Sequence, residues 1–342
     1  MPSTFQTLPA QVAAVLRREI AAGRWPDSLP GERSLAARLR VGRRTVRAAL
    51  AILRAEGLLS TTARRPSTPA TTPERTAGGG RLKVALLLPE PIGTMRHLTA
   101  LWVHYLMTAL QGAEGVLEVF HGRRFFGSGS SRSLEQLVAD NPAECWVLGR
   151  SSLAMQRWFA RSGVPAVMAG GAHPGIPLSS VDMDHRALGR HAAGVLARRG
   201  CQRAVLFLGP ARQVGDAECE AGLADAGSPS VHSVFVKETP EAVVAAFARA
   251  LQQSPAPTGF LFASSFAYLA ARSWLEAGPT PGEPLTLLAR DDEPFLSHLR
   301  PPPGRYSVPP EKFAAAIYRA IRQRLAGAAP RATRLMPEFR EG

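Results

Sequence analysis

The sequence contains little cysteine and little lysine. Its three cysteines, Cys145, Cys201 and Cys219, are far apart and form no CxxC pair, so we expect neither a disulfide framework nor a zinc knuckle. No run approaches the roughly 18 apolar residues of a membrane-spanning helix. The N-terminus has no basic region followed by an apolar stretch, so no secretory signal is predicted. These absences predict a cytoplasmic protein with reduced thiols and without a membrane-spanning segment.

Positive charge is concentrated in the first quarter of the chain. The formal net charge of the 342 residues is +14, and only three of the 41 basic residues are lysines. Residues 1–80 hold 13 arginines and five acidic residues, and so carry +8 of this charge. Codon usage can explain arginine in place of lysine, but not why the charge lies at one end. A concentrated basic field favours a polyphosphate partner, because each neutralised phosphate releases condensed counterions.

The chain divides into three zones of different composition. Residues 1–66 are predicted to be mainly helical, whereas residues 67–81 are rich in Thr, Pro and Gly, which is typical of a linker. From 82 to 342, short apolar runs such as LKVALLLP (82–89) and CWVLG (145–149) alternate with helical stretches. This alternation predicts βαβ units with parallel sheets. Because such a stretch is long for one sheet, we expect an α/β domain of two lobes.

Two short helices joined by a small turn are predicted near the N-terminus. LPGERSLAARL (29–39) is interpreted as a turn and a helix, and VGRRTVRAALAILRAEGLL (41–59) as a turn and a second helix. The second helix begins with four polar side chains, namely Arg43, Arg44, Thr45 and Arg47. This pattern predicts a helix-turn-helix. Free backbone N–H groups at the start of its second helix can bind phosphate, and arginine can recognise guanine with two hydrogen bonds.

The same segment resembles the winged helix-turn-helix of the GntR family. The resemblance depends on LPGER (29–33), V-x-R-x-T-V-R-x-A-L (41–50) and L-x-x-E-G-L (53–58), which occur in the family's order. It implies that one arginine of the turn and the start of the recognition helix contact operator DNA. The residues at these positions are Arg33, Arg43, Arg44, Thr45 and Arg47.

Two positions depart from the GntR pattern. Gly42 replaces the serine that usually caps the recognition helix, and glycine is a tolerable cap. The wing, TTARRPST (61–68), lacks the usual glycine-rich tip. We therefore expect Arg64 and Arg65 to bind phosphate. The pattern does not predict a minor-groove contact by the wing.

Residues 82–342 resemble the effector domain of lactose-repressor-type regulators, which is similar to periplasmic sugar-binding proteins. Four segments carry the resemblance, and they occur in the family's order: SSVDMDHRALGRHAAGVLARRGCQRAVLFLGP (179–210), TGFLFASSFAYLAARSWLEAG (258–278), LTLLARDDEPF (285–295) and LMPEF (335–339). The resemblance implies two α/β lobes with a cleft at the carboxyl ends of the strands, where a small-molecule effector such as a sugar would bind. The residues that it implies as ligand contacts are Asp291, Ser264, Phe266 and Arg212.

Three departures from this family concern the predicted pocket. The family arginine that follows Gly-Pro falls near Ala217, the usual Asn-Asp pair is Ser264-Ser265, and the usual glycine–aromatic pair is Ala289-Arg290. The ligand can therefore differ in class from a sugar, or effector sensing can be lost. Each of these residues also has a structural alternative to ligand contact. Asp291 can cap a turn, Phe266 can belong to the core, and Arg212 can be a charged residue of a surface loop.

Other motifs give no strong sign of chemistry. Asp182 and Asp184 alternate along a predicted strand, His185 follows directly, and there is no further ligand, so we predict no metal site. GntR-type modules also occur fused to aminotransferase-like domains with pyridoxal phosphate on a lysine. Here that C-terminal domain would be too short, and only Lys83, Lys237 and Lys312 are present. A third alternative is an extracytoplasmic binding protein. The basic helix-turn-helix module at the N-terminus argues against it.

Taken together, these patterns predict a non-enzymatic transcription regulator without a cofactor. We expect a homodimer that binds an inverted repeat in double-stranded DNA and acts as a repressor that its ligand releases. An architectural DNA-binding protein with no small-molecule effector stays as the alternative.

Overall fold

The computed structural model describes residues 8–21, 29–39, 41–55, 59–60, 68–69, 81–253, 257–278 and 285–342. The chain forms two compact units, Met1–Gly80 and Arg81–Gly342. None of the helices in these described ranges has both the length and the apolar character needed to cross a bilayer.

The first unit is a small helical domain with a short hairpin. Its helices are α1 (Leu8–Ala21), α2 (Glu32–Leu39) and α3 (Arg43–Ala55), and strand β1 (Leu59–Ser60) pairs antiparallel with β2 (Thr68–Pro69). The core consists of apolar side chains spaced three or four residues apart on the helices, among them Val12, Leu16, Leu35, Val46 and Leu53. This confirms the predicted helix-turn-helix. Strand β2 lies within residues 67–81, the segment that was predicted to be a linker.

The first sheet of the second unit is entirely parallel. Its strands are β3 (Lys83–Leu88), β4 (Val116–His121), β5 (Cys145–Gly149), β6 (Ala166–Ala169), β7 (Ser179–Met183) and β13 (Ala332–Leu335). They lie in the order β4–β3–β5–β6–β7–β13. Helices α4 (His97–Gly112) and α11 (Pro310–Leu325) cover one face, and α5 (Ser131–Asp140) and α6 (Leu153–Ser162) cover the other. Both faces of a central strand are therefore buried, which explains its nearly continuous apolar sequence.

The second sheet repeats this arrangement. Its strands are β8 (Arg203–Leu208), β9 (Ser230–Phe235), β10 (Thr258–Phe262), β11 (Thr286–Ala289), β12 (Gly304–Ser307) and β14 (Glu338–Arg340). They lie in the order β9–β8–β10–β11–β12–β14, and only β14 is antiparallel to its neighbour. Helices α7 (His185–Arg198) and α8 (Val214–Asp225) cover one face, and α9 (Pro240–Gln252) and α10 (Ser265–Ala277) cover the other.

The chain crosses between these two lobes three times. It leaves the first lobe after β7, returns to it after β12, and crosses again between β13 and β14. In both sheets the strand order reverses beside the first strand, between β3 and β5 in one lobe and between β8 and β10 in the other. Open α/β sheets bind ligands at such switch points, beyond the carboxyl ends of the strands. The expected two-lobed α/β architecture with parallel sheets is confirmed.

Candidate functional site

The predicted DNA-contacting residues lie at the start of α3 and beside it. Arg43, Arg44 and Arg47 of α3 and Arg33 of α2 are exposed, and Thr45 is half-buried. Val46, which lies between Thr45 and Arg47 in α3, is fully buried and orients the helix. Arg64 and Arg65 lie outside the described residues.

Arg47 has a protein partner. Its Nη2 and Nε atoms donate hydrogen bonds to the Glu32 carboxylate at 3.0 and 3.3 Å. The hydrogen bond and the charge of Glu32 raise the pKa of Arg47. Because Glu32 lies in the first turn of α2, this pair joins the first helix of the helix-turn-helix to the recognition helix.

A cavity of about 250 Å³ lies between the two lobes of the second unit. The first lobe contributes the start of α4 and the segments after β5, β6 and β7. The second lobe contributes the start of α8, the segment after β11 and the end of β12. Trp102 and Phe313 supply apolar surface, and Asp182 and Asp291 supply carboxylates. We call this cavity the cleft.

Charged contacts join the lobes across the cleft. Nη1 of Arg96 lies 2.6 Å from Oδ2 of Asp291, and Nη2 of Arg96 donates to the carbonyl oxygen of Ala263 at 3.4 Å. Burial, and next the charge of Asp291, raise the pKa of Glu293, while Arg96 and the backbone N–H of His97 oppose this shift. The segment after β11 is therefore bound to the first turn of α4.

Arg290 is a buried arginine at the wall of the cleft. Only 7% of the residue is exposed, and its Nη1 donates to Oδ1 of Asp216 at 2.7 Å. Asp216 also accepts a hydrogen bond from the backbone N–H of Gln213 at 2.8 Å, which caps α8. Nε of Arg290 is buried and has no hydrogen-bond partner. This guanidinium therefore has one strong partner and an unsatisfied donor.

A smaller pocket of about 110 Å³ adjoins the cleft, and we call it the side pocket. Arg96, Arg150 and Arg290 line both cavities. The remaining wall comes from Gly209–Ala211 after β8, from Ala263 and Ser264 after β10, and from Gln213, Asp216 and Glu238. The side pocket thus lies at the switch point of the second sheet.

A buried amide positions the segment after β6. Nε2 of Gln156 donates to the carbonyl oxygen of Gly171 at 3.1 Å, and Oε1 accepts from the backbone N–H of His173 at 2.9 Å. Burial, together with the charge of Arg157, lowers the pKa of His173. A Cβ on Gly171 would lie only 2.8 Å from Cγ1 of Val214, because the two lobes touch there. Glycine is therefore required for this close approach.

The four predicted ligand contacts lie in different places. Asp291 lines the cleft, and Ser264 lines the side pocket. Phe266 is 40% exposed on α10 and lines neither cavity. Arg212 pairs with Glu220 and also lines neither.

Sequence reasoning did not identify Arg96 and Arg150 as cleft residues. Arg150 directly follows β5, so the rule that ligands lie beyond strand ends would have found it. Arg96 precedes α4 at some distance from β3, and no comparable signal marks it. Asp182 and His185, which were considered only as metal ligands, line the cleft with their side chains 3.4 Å apart. In the described residues no three His, Cys, Asp or Glu side chains are grouped as a metal site.

Comparison with known families identifies the first unit. Residues 8–68 match the family described as "Bacterial regulatory proteins, gntR family". The match covers α1, the helix-turn-helix and the first hairpin strand, in agreement with the motif resemblance. A search of curated proteins found no significant match to the chain.

Solved structures of regulators share the fold of the second unit. The transcriptional regulator CelR–cellobiose complex has a TM-score of 0.65 and 22% identity, covering 91% of this chain and 98% of that one. The Cra regulator from Pseudomonas putida in complex with fructose 1-phosphate has a TM-score of 0.63 and 15% identity, covering 77% and 99%. A periplasmic binding protein/LacI transcriptional regulator from Alkaliphilus metalliredigens, complexed with D-xylulofuranose, has a TM-score of 0.62 and 13% identity, covering 76% and 97%. At these identities the likeness establishes the fold.

Proposed function

We propose that this DNA-binding transcription regulator, which joins a gntR-family domain to a LacI-like fold, changes its operator affinity when a small polyhydroxylated molecule binds in the cleft. One observation carries the proposal. The cleft lies between two lobes, beyond the carboxyl ends of both sheets, in the same chain as the helix-turn-helix. We further propose that the chain acts in the cytoplasm by binding alone, without a catalytic step.

The side chains of the cleft suit a sugar-sized ligand. Carboxylates such as those of Asp182 and Asp291 accept hydrogen bonds from hydroxyl groups, and Trp102 offers an apolar face. The volume of about 250 Å³ favours a ligand of one or two small rings. The cellobiose and fructose 1-phosphate of two similar structures support a carbohydrate or a derivative of one.

A homodimer is proposed because a helix-turn-helix dimer places two recognition helices in successive major grooves of an inverted repeat. Three large apolar side chains of the first lobe, those of Tyr105 and Met107 of α4 and of Val119 of β4, are each more than a third exposed and are available for self-association.

Ligand binding can regulate the protein only through different affinities for two conformations. The contacts of Arg96 and His97 with the second lobe belong to a closed arrangement of the cleft. A ligand that bridges the lobes would add to these contacts and favour this arrangement. The three chain crossings would transmit the change in lobe geometry to the dimer, and we propose repression that the ligand relieves.

The first experiment selects binding sites from random double-stranded DNA at a stated salt concentration. We expect recovery of an inverted repeat. The R43A/R44A variant should lose preference for that repeat, whereas the control R132A/R319A, which removes the same charge from exposed positions of the second unit, should keep it. Retention of the repeat by R43A/R44A would show that another surface recognises the operator.

The second experiment tests the effector with the selected operator. A panel of neutral sugars, sugar phosphates and sugar acids is screened for thermal stabilisation and then for changes in operator affinity. Binding without any change in DNA affinity, or no binding across the panel, would instead support the architectural alternative.

A further inference from the structure

We propose that the side pocket binds one anionic group of the effector, a phosphate or a carboxylate, and that Arg150 and Arg290 hold it. This inference extends the proposed function, because it names the chemical class of the molecule in the cleft.

The side pocket lies beside the carboxyl ends of strands from both lobes. Arg150 follows β5, beside the switch point of the first sheet, and Ser264 follows β10, beside the switch point of the second. A ligand that occupies the cleft and extends into this pocket would contact both lobes. The anionic group would thereby contribute to closure as well as to affinity.

Arg290 carries a hydrogen-bonding capacity that the protein itself does not use. It is more than nine-tenths buried and lines both cavities. Nη1 is bonded to Asp216, and Nε, itself a buried atom, has no hydrogen-bond partner. A buried unsatisfied donor is costly unless a ligand or water completes its bonding. The three arginines that line the side pocket outnumber its two carboxylates, Asp216 and Glu238, so the pocket favours an acceptor with its own negative charge.

Arg150 supplies a second guanidinium group. It is exposed, lines both cavities, and has no ion pair or hydrogen bond within the described part of the chain. Its φ angle is +51°, a left-handed conformation that side chains other than glycine rarely adopt. A glycine would hold this backbone more easily, so the presence of arginine indicates a benefit from its side chain.

Ser264, at the start of α10, adds an uncharged hydroxyl donor to the same pocket. Ser264 is the N-cap of α10, and its side chain makes no capping hydrogen bond. The first backbone N–H groups of a helix lack partners within the helix and favour an anion. Glu238 is the one acidic side chain of the pocket without an arginine partner in the described residues, and it is exposed, so solvent screens its charge.

The test measures binding of four probes to the intact chain by calorimetry: inorganic phosphate, glucose 6-phosphate, glucuronate and glucose. We expect at least one of the anionic sugars to bind about tenfold tighter than glucose, and inorganic phosphate to compete with it. The R150Q variant should lose about tenfold in affinity for the anionic probes and nothing for glucose. Glucose 6-phosphate and glucuronate distinguish the phosphate from the carboxylate.

Two further variants separate charge from folding. R150G relieves the backbone strain and removes the side chain, so it should melt no lower than the wild type while binding anions as weakly as R150Q. R161Q removes an exposed arginine that lines neither cavity and should leave every probe unaffected.

The inference is overturned if glucose binds as tightly as its anionic derivatives, if R150Q weakens all probes equally, or if no anion binds. The proposed function fails separately. Glucose or another neutral sugar that binds and changes operator affinity preserves the proposed function without the anion site. A phosphate that binds through Arg150 without changing operator affinity preserves the anion site but not the effector role.

Discussion

Nη1 of Arg96 lies 2.6 Å from Oδ2 of Asp291, and this ion pair joins the first turn of α4 to the segment after β11. Asp291 was the carboxylate that the family resemblance assigned to a ligand. In this structure it contacts the opposite lobe. The carboxylate that we propose as a ligand contact therefore also joins the two lobes.

The R96A variant should open the cleft. The pair is partly exposed, at 40% and 15% of the two side chains, so it contributes at most about 1 kcal/mol. We expect the population of open molecules to rise by up to about fivefold without ligand. Distances between spin labels on the two lobes measure this change. R186A, whose ion pair with Asp225 lies within the second lobe, is the control, and an equal opening in both variants would contradict the prediction.

The E32Q variant should bind DNA more tightly than the wild type. Replacing this carboxylate removes a negative charge beside Arg47 and frees the guanidinium for phosphate. R47A should bind more weakly and reduce the slope of log K against log salt by about 1. Filter binding over a series of salt concentrations measures both variants. Weaker binding by E32Q would show instead that Glu32 holds Arg47 in its DNA-contacting orientation.

The D216A variant should be strongly destabilised. It leaves Arg290 buried without its charged partner and removes the carboxylate that caps α8. Breaking a buried pair in this way costs about 3–5 kcal/mol of unfolding free energy. Denaturant unfolding of the intact chain measures the change. D225A on the same helix, where the carboxylate is partly exposed, should lose much less, and similar losses would contradict the importance of burial.

The stability of the second unit should depend on pH through Glu293. Burial and the charge of Asp291 raise its pKa above the ordinary value of 4.5, so the folded state binds a proton more tightly than the unfolded state. Its contribution to stability is therefore lost as pH rises from about 4.5 through the raised pKa.

The E293Q variant removes this titration and keeps an oxygen for the His97 N–H group. At neutral pH it should be more stable than the wild type, and the advantage should disappear as the pH falls to about 4.5. Denaturant unfolding at a series of pH values makes the comparison. An advantage that does not change with pH would show that packing, and not charge, causes it.

Much of the fold could be predicted from apolar runs. Strands β3, β5, β8 and β10 are buried on both faces, so their sequences are nearly continuous in apolar residues. Strand β9 was not predicted, because it lies at the edge of its sheet and alternates between exposed and half-buried residues. Helix α8 was also missed, since it packs through small residues. A Cβ on its Gly222 would lie 2.1 Å from the carbonyl oxygen of Arg186 in α7.

The sequence by itself determined the order of the two domains, the helix-turn-helix and the two-lobed α/β fold, because these follow from local periodicity and from motifs of adjacent residues. Only the tertiary structure decided which charges meet. Arg47 pairs with Glu32, Arg96 with Asp291, and Arg290 with Asp216. Arg150 has no such partner in the described part of the chain. These relationships join residues from different helices, strands and lobes, and sequence spacing carries no information about such distances.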